Sequence, residues 1–346
     1  MPNYLDKFGR NFLVASMIPS LAFFLATMIS LQPTLPDWIK DLLGGEFELF
    51  GKSGFFLLVL TIILGFTLTS LNTFIYKVFE GYVLIWRLPF LRSSQVKRAR
   101  QLKRLQKNLQ IKIARLENCT SKRAETKRNN LIAILNTLMA EYELAYPPSE
   151  DDILPTKFGN ILKSAESYSR TRYHIDGVPM WPRLISVIPG DYYSKVDDVS
   201  NQLSFLMNCT VLAISYSLII LSVSVYHLAK SITSQTYAFE KVGGYLILSI
   251  LAILVGIVFL RATVLVVGEF GYLIRSSYDL FRRKLLIKLD LGLPLTLDGE
   301  RDIWEDWCDF VNLGFKDGQT KINFQPASAT ISDQSSLQNK IENDDS

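Results

Sequence analysis

The chain has 346 residues, 49% of them hydrophobic and 20% charged, with a formal net charge of +4. Soluble domains run near 25% charged and seldom carry long apolar runs, so this balance excludes a wholly soluble protein and indicates a polytopic membrane protein with sizeable polar parts. Three scattered cysteines, Cys119, Cys209 and Cys308, and two histidines, His174 and His227, exclude a disulfide framework, a zinc knuckle and a His-rich metal centre. No cofactor is implied.

The first apolar run, about 11–31, follows Lys7 and Arg10. It is too long for the core of a signal peptide and lacks a small-residue cleavage site, so it reads as a retained membrane helix. The loop after it, about 32–53, carries Trp38, Leu42, Leu43, Phe47 and Phe50 among acids, which suits a short interfacial helix after Pro36. An acidic, ion-attracting vestibule is the other reading if subunits form a ring. A second span is expected over about 54–76, with Thr67, Thr69, Ser70 and Asn72 available for bonds between helices.

From Gln95 the chain turns strongly basic. Leu102, Leu105, Leu109, Ile113 and Leu116 recur at steps of three and four, and so do Leu131, Ile134 or Leu135, Leu138 and Tyr142. This spacing predicts an antiparallel hairpin of two amphipathic helices over about 95–146, joined near Asn118 to Ser121. Its basic face includes Arg98, Arg100, Lys103 and Arg104, candidate contacts for anionic lipid headgroups. A nucleic-acid partner is disfavoured because no aromatic residues interleave with these charges. A solvated, positive-inside face is the plainer reading.

Residues 147–152, PPSEDD, end the hairpin. The next block, 153–189, is unusual: LPTKFGN, then RYHIDGVPMWPRL, with Pro179 and Pro182 expected to push Val178 and Trp181 toward extended backbone. It predicts a helical stretch with Phe158, Ile161, Leu162 and Ala165 on one face, followed by an irregular apolar segment that must bury itself or lie at the headgroup boundary. Arg172, Tyr173, His174 and Asp176 stand close enough in sequence to support acid–base work, but with one histidine and no evident nucleophile no catalytic residue is assigned. The phosphate-binding glycine loop, HExxH and GxSxG are all missing.

Asp191 is expected to cap a helix that continues into a third span at about 203–228. A fourth span follows at about 243–267, and its helix is expected to run on to about Leu289. Asn208 in the third span, Asn72 in the second, and Arg261 and Glu269 in or just beyond the fourth are the candidate intramembrane polar residues. No span is clearly broken in matching halves of the chain, which disfavours a simple secondary transporter. A short helix with Trp304, Trp307 and Phe310 is expected within 291–315, and a polar, disordered tail over 316–346.

Basic residues crowd one side of the spans: Lys7 and Arg10; Lys77, Arg87 and Arg92; Arg183 and Lys195; Arg275, Arg282, Arg283, Lys284 and Lys288. The positive-inside rule then places both termini and the long insert in the cytoplasm.

LPTKFGNILKSAE, followed by RYHIDGVPMWPRL and later by SYDLFRRKLLIKLDLGLPL, resembles a group of uncharacterised bacterial membrane proteins that carry an LPTxxGN…RYxIDxxxxWPRL block before the third helix. The resemblance covers about a third of the chain. It implies a bacterial inner-membrane protein with four helices, in which Leu154, Pro155, Gly159, Asn160, Tyr173, Asp176, Trp181, Pro182 and Arg183 would form the motif. It assigns them no activity and no ligand.

The expected fold is therefore an all-α membrane protein: four transmembrane helices with a helical cytoplasmic insert between the second and third. The parts are a first transmembrane pair (1–82), the insert (83–200), a second pair with its extension (201–290), a short cytoplasmic segment (291–315) and the tail. The expected function is non-enzymatic, in a protein that associates with the bilayer and with copies of itself. A channel-like ring is one form of this, its layout similar to that of bestrophin-type channels. A membrane-anchored sensor or effector that binds a partner or anionic ligand through the basic insert is the alternative.

Overall fold

A computed structural model describes residues 12–34, 51–83, 89–117, 121–234 and 239–314, together with 322 and 324. The expected interfacial helix with Trp38 to Phe50, the hairpin turn at 118–120 and nearly all of the tail lie outside them. Among the described residues the chain is helical without a named strand, and a lone bridge joins Leu291 and Phe324.

The chain divides into two compact units, one of Met1–Val83 with Asp197–Val267 and one of Leu84–Val196 with Gly268–Ser346. In the first unit, a π-helical turn, Leu13–Met17, leads into α1, Ile18–Leu31. Next come α2, Lys52–Ser70, and α3, Asn72–Glu80. The unit also holds most of α8, Gly190–Ser234, and the first half of α9, Phe239–Lys288.

Among the described residues, three helical stretches are each long and apolar enough to cross a membrane: Leu13–Leu31, Gly190–Ile232 and Val242–Lys288. The expected second span is not one straight helix, because Gly54–Ser70 and Asn72–Glu80 meet at 56°. The hydroxyls just before the break explain the bend. Thr67 Oγ1 donates to Ile63 O at 2.8 Å and Thr69 Oγ1 to Gly65 O at 3.0 Å. Such back-bonding loosens the ladder, and Leu71 then leaves helical geometry at φ −85°, ψ 0°.

Polar side chains join the helices of this unit. The Ser217 and Ser249 hydroxyls lie 2.9 Å apart, each also within hydrogen-bond reach of the other's carbonyl at 3.0 and 3.1 Å, and Ser30 Oγ meets the Tyr216 hydroxyl at 2.6 Å. Asn208 donates to the Ala15 carbonyl at 2.8 Å. In an apolar medium, bonds of this kind hold helices in register where the hydrophobic effect cannot.

The second unit begins with the hairpin. Helix α4 is Pro89–Glu117 and α5 is Lys122–Ala145, so the first arm starts a turn and a half before the expected residue 95. Leu102, Leu109, Leu116, Leu131, Leu135 and Leu138 line the seam part-buried around the buried Ile113, whereas Leu105 and Ile134 are exposed. Gln106 stands beside Leu105's expected place and donates to Leu138 O at 3.0 Å. At the root, Ala99, Tyr142, Tyr146 and Ile153 form a buried cluster. Arg92 ties the following loop to it, reaching Ile153 O at 3.0 Å and Asp151 O at 2.9 Å.

Helices α6, Lys157–Tyr173, α7, Gly177–Ile185, and α10, Leu297–Leu313, complete the unit with residues 190–196 of α8 and 268–288 of α9. The segment expected to be irregular is helical. Pro179 falls in the first turn of α7, where no N–H is needed, and Pro182 removes only the bond to Val178 O, so nine residues tolerate both. Val178 and Trp181 are accordingly helical instead of extended. Asp191 lies inside the first turn of α8 instead of capping it, where its carboxylate suits the positive end of the helix dipole.

Candidate functional site

The 153–189 block builds its own seat. Thr156 caps α6 by accepting from Gly159 N–H at 2.9 Å. Asn160, with no exposed surface, closes a ring with Leu154: Nδ2 donates to Leu154 O at 3.0 Å and Oδ1 accepts Leu154 N–H at 2.7 Å. Pro155 follows Leu154 in the chain. The LPTKFGN stretch is thus a helix start locked to the loop before it.

The far end of α6 turns sharply into α7. His174 takes the left-handed conformation at φ +59°, a position that strains any side chain. Ser169 secures the turn by donating to Ile175 O at 3.0 Å and accepting Ile175 N–H at its own carbonyl at 3.2 Å. Gly177 then meets the α6 backbone, and the Tyr278 hydroxyl of α9 donates to Gly177 O at 2.7 Å.

Two cavities flank this turn. The first, about 230 Å³, is apolar: Leu162, Val178, Trp181, Phe270, Ile274 and Tyr278 surround it, and Glu166 stands at its edge. The half-buried Trp181 lies 6.2 Å from the Tyr278 ring. Burial raises the Glu166 carboxyl above the usual carboxylate range, against the opposing pull of Lys163 at 3.7 Å. The second cavity, about 320 Å³, is polar and lined by Arg170, His174, Asp176, Glu305, Cys308, Asp309 and Asn312. In it His174 Nδ1 meets Glu305 Oε2 at 2.9 Å, and Asn312 donates to Asp176 Oδ2 at 3.1 Å. Asp176 N–H donates to Cys308 Sγ at 3.3 Å.

A third cluster lies on the other side of α6. The hydroxyls of Tyr168 and Tyr173 donate to Asp279 Oδ1 at 3.0 and 2.7 Å, and the Arg282 guanidinium sits 4.1 Å from the Tyr173 ring centre. Arg282 pairs with the buried Glu300 at 2.8 Å. Burial and the Asp279 carboxylate push both phenols up, so they remain neutral donors.

The four residues grouped for acid–base work therefore separate. His174 and Asp176 share the polar cavity, Tyr173 faces Asp279, and Arg172 reaches Glu143 at 3.7 Å. The nearby Cys308 is a poor nucleophile, since burial raises its thiol. Among the described residues no group of three or more His, Cys, Asp or Glu side chains could hold a metal ion. Pro182 and Arg183 are exposed, with Arg183 donating to Pro179 O at 2.6 Å.

Asn208 is buried, whereas Arg261 and Glu269 are exposed. On the hairpin, Arg98 and Arg104 are exposed without a described pair. Arg100 binds Glu150 at 3.0 Å, and Lys103 lies 5.2 Å from the Tyr142 ring centre. Glu305, Cys308, Asn312, Asp279 and Tyr278 are not legible as site residues: they come from segments about 90 residues or more downstream, and only tertiary packing brings them to the block. No family model, curated protein or solved structure matches the chain.

Proposed function

We propose that this chain is a non-enzymatic, four-span protein of a bacterial inner membrane. Copies associate through the spans into a channel-like assembly, and both termini and the 83–200 insert are cytoplasmic. The bent α2–α3 pair counts as the second span. The observation that carries the reading is the surface of α9. Leu246, Ile247, Ile250, Leu251, Ile253, Leu254, Val255, Ile257, Val258 and Leu260 are all exposed, over an arc of roughly 220° at about 100° per residue. An apolar face that wide is stable only against lipid or another apolar helix. On the same helix Gly243, Gly244 and Gly268 have open space where a β-carbon would stand, which allows close approach by a second backbone. The crowding of basic residues on one side supports the orientation, and the resemblance of the LPTxxGN…WPRL block supports the bacterial membrane. The polar cavity is consistent with the non-enzymatic reading, since its imidazole is partnered by Glu305, its Asp176 carboxylate by Asn312, and burial raises its thiol.

Oligomer size of the purified chain in detergent, followed by ion flux in liposomes, tests this reading. A multimer that passes ions supports it; a clean monomer without flux removes it. The second reading, a membrane-anchored sensor or effector, draws on the two cavities beside the His174 turn and on the exposed Arg98 and Arg104. It predicts a partner or ligand recovered by the full chain and lost on charge reversal of those two arginines.

A further inference from the structure

The π-helical turn at the start of the first apolar helix faces an unusual set of oxygens. Ile18 N–H reaches back five residues to Leu13 O, and within that wide turn the Ala15 carbonyl accepts from Asn208 Nδ2 at 2.8 Å. Asn208 Nδ2 also meets Ser16 Oγ at 3.4 Å, and Ser16 Oγ lies 3.0 Å from Thr69 Oγ1. The helices of three apolar runs thus converge on one polar point. Ser16 and Asn208 are 3% and 2% exposed.

Every proton in this cluster is already committed. Thr69 gives its single proton to Gly65 O, so Ser16 must donate to Thr69, and both amide protons of Asn208 go to Ala15 O and Ser16 Oγ. Ser20, the neighbouring hydroxyl, gives its own to Ser16 O at 2.7 Å. What remains is lone pairs. Asn208 Oδ1 is buried with no partner among the described residues, and Asn72 Oδ1, at the break between α2 and α3, is in the same condition. The two stand near one level if the spans alternate in direction. Tyr76 bonds Ser200 and Ser204, Asn72 is one turn before Tyr76, and Asn208 is one turn beyond Ser204.

An unpaired amide oxygen in an apolar interior needs a guest that donates. A water molecule would satisfy it, but Ser16, Thr69 and Asn208 have no proton left to offer its own lone pairs. A cation needs only lone pairs. The oxygens are all neutral hydroxyls, carboxamides and carbonyls, which suits one positive charge; a divalent ion would call for carboxylates. π-Turns recur at functional sites, and broken helices form the ion and substrate sites of many membrane transporters. We propose that Asn208 Oδ1, supported by Ser16, Thr69 and Asn72, forms a binding site for a dehydrated alkali cation within the membrane part of the chain. The proposal does not require that the ion be conducted.

The test is thermal unfolding of the purified full chain in lithium, sodium or potassium chloride, against N-methyl-D-glucamine chloride at equal ionic strength. One alkali cation is expected to raise the unfolding midpoint saturably, and Asn208→Ala to abolish that rise while Asn72→Ala weakens it. Equal midpoints in all four salts, the result of an internal water only, would overturn the proposal, as would an undiminished rise in Asn208→Ala. Should that variant fail to fold, Thr69→Val removes one supporting oxygen and leaves Asn208 in place. It is expected to raise the half-saturating concentration severalfold, and an unchanged value would overturn the proposal equally.

Discussion

Gly177 lies against the backbone of Glu166: a β-carbon at 177 would stand 2.7 Å from the Glu166 carbonyl oxygen and 2.8 Å from the Ser169 hydroxyl. Neither neighbour can easily retreat, since one is helix backbone and the other holds Ile175 in the turn. Gly177→Ala is therefore expected to destabilise the second unit by about 1–3 kcal/mol, the usual range for overpacking. A denaturant or thermal unfolding curve of the purified protein measures it, and an unchanged midpoint would contradict the packing described here.

The ring between Asn160 and Leu154 gives a second outcome. Asn160→Ala removes a fully buried carboxamide and leaves the N–H and carbonyl of the half-buried Leu154 without it, with an expected loss of about 1–3 kcal/mol. Asn160→Asp keeps the acceptor for Leu154 N–H but sets a carboxylate against Leu154 O, so it is not expected to rescue stability. Comparing the unfolding midpoints of the two variants with the parent checks both expectations.

How far such features can be read from sequence varies with their range. The amphipathic spacing of 102–116 and 131–142 identifies the hairpin, because its seam is a contact between two adjacent helices with one period. Leu105 misleads since its neighbour Gln106 takes the seam position through a hydrogen bond that periodicity cannot register. The break at Leu71 is hidden for a related reason: threonine is ordinary in an apolar span, and the back-bonding of Thr67 and Thr69 beside the break emerges only in the fold. The α7 helix defies its two prolines because one falls in the first turn, a boundary that the sequence does not mark. Asn160 is legible as a residue poised to bond backbone, yet its partner Leu154 emerges only from the fold. The polar cavity depends on Glu305, Cys308 and Asn312, which no spacing rule connects to His174.

A pH dependence follows from Glu166. Its carboxyl is raised by burial in the folded state, so the folded chain holds a proton that the unfolded chain, near the ordinary value of 4.5, releases. The stability this confers is complete below the unfolded value and is lost as pH rises through the folded one. Glu166→Gln removes the ionisation. The variant is expected to gain stability relative to the parent at pH 8 and to gain less, or nothing, at pH 4. Unfolding midpoints of both proteins across that interval decide it, and parallel curves would count against the burial of this carboxyl.

At His174 the backbone and the side chain oppose each other. The left-handed conformation favours glycine by about 1 kcal/mol over residues with a β-carbon, while the imidazole contacts Glu305 at an exposed position of small energetic weight. His174→Gly is accordingly expected to be more stable than His174→Ala by about 1 kcal/mol, since both lose the imidazole but only glycine suits the turn. Parallel thermal unfolding of the two variants tests the assignment of strain.

The hairpin's arginines divide by what they already touch. Arg98 and Arg104 are exposed, whereas Arg100 is engaged by Glu150 and Lys103 by Tyr142. If the basic face meets anionic lipid, Arg98→Gln and Arg104→Gln should each weaken the retention of anionic lipid on the purified protein roughly fivefold, about 1 kcal/mol per residue. Arg100→Gln should instead lower the unfolding midpoint slightly. Native mass spectrometry of lipid adducts measures the first effect; equal adducts in all variants would leave the face to solvent.

The carboxamide of Asn160 grips residue 154 only by its peptide groups, so the grip is blind to which side chain that residue carries. A saturation library screened for folded protein should therefore accept a broad choice at 154 and almost none at 160, although the two positions share one pair of bonds. Mutational tolerance in this block is set by which partner contributes its side chain to a contact, and the closeness of the contact alone does not foretell it.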